Sequence, residues 1–283
     1  MKRLFWIAML LFVLGLITTV TFGLIARNEL RSFAQGEEDF EKITICIAKE
    51  EWKDLTDLSV EIFNRSLYVL PSETDEIVVT YYNTPNGYIT EKKEGNKLLY
   101  DETIRFRLFS FSWDWIKGLM NPDYNRFYLY LPKDLLIKLK LDTTNGRLEI
   151  SDIQLKELKG NTSNGRIVLD DVEAIKIDVS TSNGTVVANG VEAEESVKLR
   201  TSNGRITVEK METPYLKCDT SNGRINVEIE GKKDDYFVSM TTTNGNYYVN
   251  GVKSRNAELN NENLAKKIIL DTSNGDIYIS FAD

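Results

Sequence analysis

Histidine is absent from all 283 residues. That removes Ser-His-Asp and Cys-His nucleophilic catalysis and every histidine-ligated metal site. Cysteine occurs twice, as Cys46 and Cys218, which is compatible with export but defines no disulfide framework. Positive charge is in deficit, with 35 Lys and Arg against 43 Asp and Glu and a formal net charge of −8. Such a balance argues against a nucleic-acid partner, because binding phosphate polymers of that kind normally needs a broadly basic face. No Gly-rich phosphate loop, calcium nonapeptide or metal-spaced cluster occurs, so neither cofactor nor metal is expected.

Long apolar runs are limited to one. Residues 4–26 are 23 uncharged, mostly apolar positions, enough at 1.5 Å rise to cross a hydrocarbon layer of roughly 30 Å. A signal peptide cleaved after Gly23 or Ala26 is the competing reading, but signal cores usually span only about 7 to 15 residues. An uncleaved transmembrane anchor is therefore expected. Lys2 and Arg3 on one side face Arg27 and Arg31 on the other, so charge alone does not orient it. The three-residue tail, 1–3, is expected to stay cytoplasmic while the polar domain lies outside the cell membrane, with residues 27–42 as a linker.

What the chain has in abundance is a repeat. A Thr-(Ser/Thr)-Asn-Gly tetrapeptide recurs with its asparagine at Asn145, Asn164, Asn183, Asn203, Asn222, Asn244 and Asn274, at intervals of 19, 19, 20, 19, 22 and 30 residues. A near-constant period of this length marks a solenoid in which each coil covers its neighbour. Counting each Asn as zero, positions −6 and −4 are apolar in every copy except at Gly160, and −2 is always Thr. Positions +3 and +5 are apolar or aromatic throughout, from Leu148 and Ile150 to Ile277 and Ile279. Strand side chains alternate faces, so −6, −4 and −2 point inward before the corner and +3 and +5 after it. Cys218 falls on this stripe and reads as a small core hydrophobe.

The expected fold is all-β: a parallel β-solenoid, or β-helix, of about seven coils over residues 131–283, stacked in chain order. A rise of about 4.8 Å per coil gives roughly 34 Å. The Asn-Gly pair is expected to supply its corner through positive φ, which Gly and Asn tolerate best. The seven asparagines are expected to be structural turn residues joined in an internal side-chain ladder; ligand contact and a deamidation clock are the alternatives. A second corner is expected at 151–152, 170–171, 189–190, 209–210 and 250–251.

Residues 43–130 carry strand-like segments without the period and read as an N-terminal β cap, closing an end that would otherwise recruit other strand edges. Asn86-Gly87 after Pro85 reads as an ordinary hairpin turn. Phe106, Phe109, Phe111, Trp113 and Trp115 alternate with polar residues. They either pack on the first coils or form an interfacial patch in which Trp113 and Trp115 touch membrane or partner protein. Polar insertions at about 230–235 and 253–267 read as loops, the second with a short helix near Ala257. The last strand, 277–281, is expected to leave an open edge available to another chain.

Position +2 holds Arg147, Arg166, Thr185, Arg205, Arg224, Asn246 and Asp276. Four outward guanidinium groups in a broken column suit carboxylate or phosphate groups of an envelope polymer or lipid headgroup; a solvated ladder offset by neighbouring acids is the alternative. Asp170 and Asp171 resemble paired acids, yet adjacent strand residues point oppositely, and turn chemistry accounts for them better than glycan hydrolysis. The chain is not expected to be an enzyme.

Repeated Thr-Ser-Asn-Gly-Arg-Ile motifs at 162–167, 201–206 and 220–225, preceded by Tyr-Leu-Tyr-Leu-Pro at 128–132, resemble a bacterial "putative adhesin" family of β-strand repeats, a domain of unknown function. With the anchor, the layout is similar to LiaG-type proteins of envelope-stress operons. The resemblance implies a β-solenoid at the cell surface and carries over no functional residues. The expected function is that of a non-enzymatic, membrane-anchored binding or accessory protein of the cell envelope, possessing either a polymer, a lipid headgroup or a membrane protein as partner. The alternatives are a cell-surface adhesin for external glycan or protein and, last, a glycan-active β-helix enzyme.

Overall fold

Apolar side chains at alternate positions before and after each corner close one continuous core. Leu139, Leu141, Leu148 and Ile150 in one row, and Ile177, Val179, Val186 and Ala188 in another, are all buried. Each such side chain contributes about 1.5 to 3 kcal/mol, too little for one row to order alone, so the rows stand or fall together.

The computed structural model describes residues 40–84, 87–104 and 121–282, with Gly15, Val20, Thr21, Gly23 and Arg27 as isolated positions. The candidate anchor over 4–26, apart from four of these positions, and the aromatic run containing Trp113 and Trp115 lie outside the described residues. Among the described residues no helix is long and apolar enough to cross a membrane.

The fold is all-β. Its strands are β1 (Glu41–Ile47), β2 (Asp57–Glu61), β3 (Ser66–Pro71), β4 (Ile77–Asn83), β5 (Gly87–Glu94), β6 (Lys97–Ile104), β7 (Arg126–Leu131), β8 (Lys138–Thr143), β9 (Leu148–Thr162) and β10 (Ile167–Thr181). They continue as β11 (Val186–Asn203), β12 (Ile206–Glu212), β13 (Tyr215–Asn222), β14 (Ile225–Glu230), β15 (Tyr236–Asn244), β16 (Tyr247–Val249), β17 (Val252–Ser254), β18 (Glu258–Leu259), β19 (Lys266–Asn274) and β20 (Ile277–Ala282). A short helix, α1 (Lys49–Trp52), seats buried Trp52, whose Nε1 donates to the carbonyl of Asp75 at 2.9 Å.

The central rows stack in parallel register: Leu148 pairs with Ile167, Ile167 with Val186, Val186 with Ile206 and Ile206 with Ile225. The second corner takes left-handed backbone at Asp152, Asp171, Gly190 and Lys210, with φ of 53°, 51°, 60° and 50°.

At both ends the rows depart from chain order. β19 lies between β13 and β15, pairing Asn274 with Asn222 on one side and with Asn244 on the other, and β20 lies likewise between β14 and β16. The final strand is thus interior, which corrects the expected open edge at 277–281. At the other end β2 and β3 lie between a row formed by β6 and β7 and the row formed by β8 and β9.

The stack also begins earlier than the Asn-Gly period. Leu58 and Val60 align with Leu139 and Leu141, and Leu67 and Val69 with Leu148 and Ile150, so Asn64 occupies the corner of an additional row. Antiparallel strands close the ends: β4 on β7, β5 on β6 and β1 on β4 at one, β17 on β16 and β18 on β15 at the other. The expected helix near Ala257 is replaced by β18, because its chain pairs with Val238 and Ser239. Thr84 and Gly87 exchange reciprocal backbone bonds as an isolated antiparallel bridge between β4 and β5; Asn86 of the expected turn lies outside the described residues. Gly160 keeps its place on the core stripe, its missing side chain filled by Leu148 and Val179.

Candidate functional site

The most regular surface feature is the ridge along the Asn-Gly corner, and its chemistry follows from what each position does between rows. Thr at −2, buried in every row except that of half-buried Thr242, donates its hydroxyl to a backbone carbonyl of the adjacent row: Thr162 to Gly146 at 2.9 Å, Thr181 to Gly165 at 3.0 Å, Thr201 to Gly184 at 2.9 Å and Thr272 to Gly223 at 3.1 Å. The glycine is required by close approach. A Cβ on Gly165, Gly184, Gly204 or Gly223 would overlap the backbone carbonyl of the adjacent row's glycine. None of these corner residues has positive φ, which corrects the expectation for the Asn-Gly pair; left-handed backbone belongs to the second corner instead.

The asparagines form a ladder on the exposed surface. Asn164 donates to Asn145 at 2.6 Å, Asn183 to Asn164 at 2.9 Å, Asn203 to Asn183 at 2.8 Å and Asn222 to Asn203 at 2.9 Å. Asn274 then donates to Asn222 and Asn244 to Asn274, both at 2.8 Å, while Asn145 donates to Asn64. Between the two ends of this line, Asn64 and Asn244, each Nδ2 and Oδ1 is engaged with another ladder amide, which leaves reduced capacity for a ligand. Beside it, Ser163, Ser182, Ser202, Ser221 and Ser273 are exposed.

Two residues past each asparagine the side chains turn outward. In spatial order the column reads Arg126, Ser66, Arg147, Arg166, Thr185, Arg205, Arg224, Asp276, Asn246. Its members differ in what they already hold. Arg126 meets Asp123 at 2.6 Å, and Arg147 meets Glu149 at 2.9 Å. Asp276 accepts from the backbone and side-chain nitrogens of Asn246 at 2.9 and 3.3 Å, so these two departures from arginine close the column's end. Arg224 lies over the Tyr278 ring at 5.0 Å. Among the described residues, Arg166, Arg205 and Arg224 have no carboxylate within ion-pair distance. On the adjacent face, formed by the strands before the corner, Lys140 pairs with Glu61 at 2.6 Å and Asp142 at 2.8 Å, and Arg200 with Asp178 at 2.6 Å, while Lys159 and Lys198 have no carboxylate within ion-pair distance among the described residues.

Other candidates resolve into structure. Asp171 sits at the left-handed second corner, and Asp170 accepts from Asn189 at 2.6 Å. Cys46 is exposed on β1 and Cys218 is buried; both thiols are free, and burial pushes the Cys218 thiol well above its ordinary range. Among the described residues no group of three or more acidic or thiol side chains is placed to hold a metal ion. Sequence reasoning missed a groove of about 700 Å³ on the third side of the stack, floored by Ala174 and Ala193 and walled by Glu173, Glu192 and Glu212. Its signal was available as a glutamate nine residues after Asn164, Asn183 and Asn203.

The family profile described as Toastrack DUF4097 matches residues 55–246, a span that includes the Asn64 row and all but the last Asn-Gly corner. The chain belongs to the Toastrack DUF4097 family. Solved structures similar to this Toastrack chain include a "putative cell adhesion protein" from Clostridium sporogenes, at 11% identity and TM-score 0.41, covering 86% of this chain and 100% of that one. Another is a "putative adhesin" from Parabacteroides merdae, at 13% identity and TM-score 0.42, covering 88% and 98%. A "putative lipid binding protein" from Parabacteroides distasonis matches at 13% identity and TM-score 0.37, again covering 88% and 98%. No match is found among curated proteins.

Proposed function

We propose that this Toastrack protein is a non-enzymatic binding or accessory module of the bacterial cell envelope, held at the membrane by residues 4–26 with its solenoid outside, and that its arginine column engages anionic envelope material. One contrast carries the reading. Arg200, on the face before the corner, is neutralised by Asp178, whereas Arg166, Arg205 and Arg224 present guanidinium groups without a carboxylate partner among the described residues. Guanidinium forks match phosphate and carboxylate oxygens in pairs, so uncommitted arginines in one line suit a polymer with repeated anionic groups. A part in envelope stress response belongs to the same proposal, as does the use of Trp113 and Trp115 as a membrane or partner contact.

The test is co-sedimentation of the full-length chain in detergent micelles with separated wall, lipid-vesicle and membrane-protein fractions, beside a variant with Arg147, Arg166, Arg205 and Arg224 all changed to Ala. Salt-sensitive pelleting with wall or lipid that the variant loses is expected, since exposed charges are screened within about 8 Å at physiological salt. Pelleting with membrane protein alone would replace the polymer by a regulatory partner. Pelleting with nothing would shift the function to an adhesin for external ligands.

A further inference from the structure

We propose that Arg205 and Arg224 form a two-pronged phosphate site for a linear polyol-phosphate polymer, that Tyr278 holds the Arg224 fork in place, and that Arg147 and Arg166 add only to the surrounding field. This rests on the anionic-polymer reading above and names the ligand class of the same column.

Arg205 and Arg224 precede Ile206 and Ile225, which pair in parallel register, and the Ile206 amide donates to the Arg224 carbonyl at 3.0 Å. Their side chains therefore start from neighbouring rows, about 4.8 Å apart. Like charges directly opposite each other weaken a sheet, and among the described residues no carboxylate lies within ion-pair distance of this pair. An oxyanion seated between the two would. The flanking outward positions, Thr207 and Asn226, are uncharged, and the corner beside them presents exposed Ser202 and Ser221. The site thus offers guanidinium, hydroxyl and amide donors; the anion in the next row, Asp276, is not within ion-pair distance of Arg224 and accepts instead from Asn246.

Preorganisation separates Arg224 from the rest. Its guanidinium lies 5.0 Å over Tyr278, which stacks on Tyr248 with centroids 4.4 Å apart and planes within 3°. The Tyr278 hydroxyl reaches Asp276 at 3.4 Å. A guanidinium stacked on a fixed ring keeps its N–H edges free for a ligand and loses less freedom on binding. Arg147 lacks this liberty, because its Nη2 is committed to Glu149 at 2.9 Å. Arg166 stands between that neutralised arginine and Thr185. The chemistry selects phosphate over carboxylate: one fork satisfies the two coplanar oxygens of a carboxylate, whereas a phosphodiester uses its non-bridging oxygens in two directions, one towards each row.

The experiment uses the full-length chain and fluorescently labelled poly(glycerol phosphate), with poly(glutamic acid) of equal charge and phosphatidylglycerol vesicles as competitors. Arg205→Lys and Arg224→Lys keep the charge but remove the fork, and each is expected to weaken binding at least tenfold. Arg147→Lys and Arg166→Lys are expected to weaken binding several-fold less than either. Tyr278→Phe keeps the ring and should bind as the parent does, whereas Tyr278→Leu should weaken binding with its unfolding midpoint measured alongside. Equal effects of all four lysine variants would overturn the two-pronged site while leaving the anionic-polymer reading intact. Displacement of the polymer by poly(glutamic acid) or by vesicles at equal charge would overturn the ligand class. Retained binding after changing all four arginines to Ala, or no binding by the parent chain, would overturn both.

Discussion

Replacing Gly184 by alanine is expected to destabilise the fold by about 1 to 5 kcal/mol, for reasons that set it apart from two other kinds of glycine. A Cβ on Gly184 would overlap the Gly165 carbonyl of the adjacent row and stand 3.0 Å from Thr181 Oγ1. Because the obstacle is backbone, relief requires the rows to part. Overpacking of this kind costs roughly 1 to 3 kcal/mol. Parting the rows also strains the bond from Thr181 to Gly165, 3.0 Å long, and leaving a buried hydroxyl unsatisfied costs about 1 to 3 kcal/mol more. Alanine's smaller unfolded-state entropy offsets only about 0.4 to 1 kcal/mol. Gly160→Ala meets only the ends of Leu148 and Val179, each at 3.3 Å; these side chains can move, so its cost should stay within about 1 kcal/mol. Gly95→Ala meets nothing within 4 Å but sits at φ 58°, a purely conformational cost of about 1 kcal/mol. Equilibrium urea unfolding of the three variants checks the order. A Gly184→Ala cost below that of Gly95→Ala would refute the argument that these glycines exist for row-to-row approach.

Glu102→Gln should cost about 3 to 5 kcal/mol, because it leaves a buried guanidinium without its counter-charge. Arg65 donates to Glu102 at 2.7 Å with the two side chains 4% and 7% exposed, and Glu102 also accepts from the Phe63 amide at 2.9 Å. The same urea titration decides, and a cost near that of a surface pair, at most about 1 kcal/mol, would remove the pair from the account of the end row. Stability should also fall in alkali, since burial raises Cys218 above its ordinary 9.0 and Tyr100 above its ordinary 10.0. Above those values the unfolded chain releases protons that the folded chain keeps, so stability is intact below about pH 9 and declines by about 1.4 kcal/mol per pH unit per group. Unfolding midpoints between pH 8 and 11 test this, and Cys218→Ala should remove the decline that begins at pH 9; an unchanged profile in that variant would contradict the assignment.

The inward stripes at −6, −4, +3 and +5 were legible because a period of two, repeated at near-constant spacing, leaves little freedom in phase. The Asn64 row was not, although Leu58, Val60, Leu67 and Val69 carry the same stripes about it. Three substitutions hide it: Ile62 replaces the threonine, Phe63 the following Ser or Thr, and Arg65 the glycine. Arg65 is tolerated there because the next row outward places Glu102 beside it, and its own carbonyl still accepts the Thr143 hydroxyl at 2.9 Å. The corner mechanism was misread for a related reason. Asn-Gly between strands implies positive φ in a hairpin, but here the glycine answers to the row beneath it, a contact that no local motif records. The arginine column was visible as a pattern, yet which members are already neutralised depends on side-chain geometry that spacing does not specify.

Row order is the deeper case, because equivalent rows offer nearly the same neighbours. Ile268 and Leu270 can stack on Leu216 and Cys218 as readily as Val238 and Met240 could, so the repeat itself does not choose between the two arrangements. The choice is made by what each row can expose. The segment from Tyr236 to Val249 carries its own covers, since β17 and β18 return to pair with β16 and β15. β19 and β20 carry none and gain partners on both sides only by lying inside. The intervals of 22 and 30 residues are the trace of this in the sequence, being the added chain needed to pass over one row and return. The same arrangement at the other end, with β2 and β3 enclosed by rows formed later in the chain, removes the usual weakness of a solenoid. Terminal repeats fray because they have one neighbour, whereas here the last strands of the chain have two, and the outermost rows are closed by antiparallel strands that leave less open edge for another chain to extend.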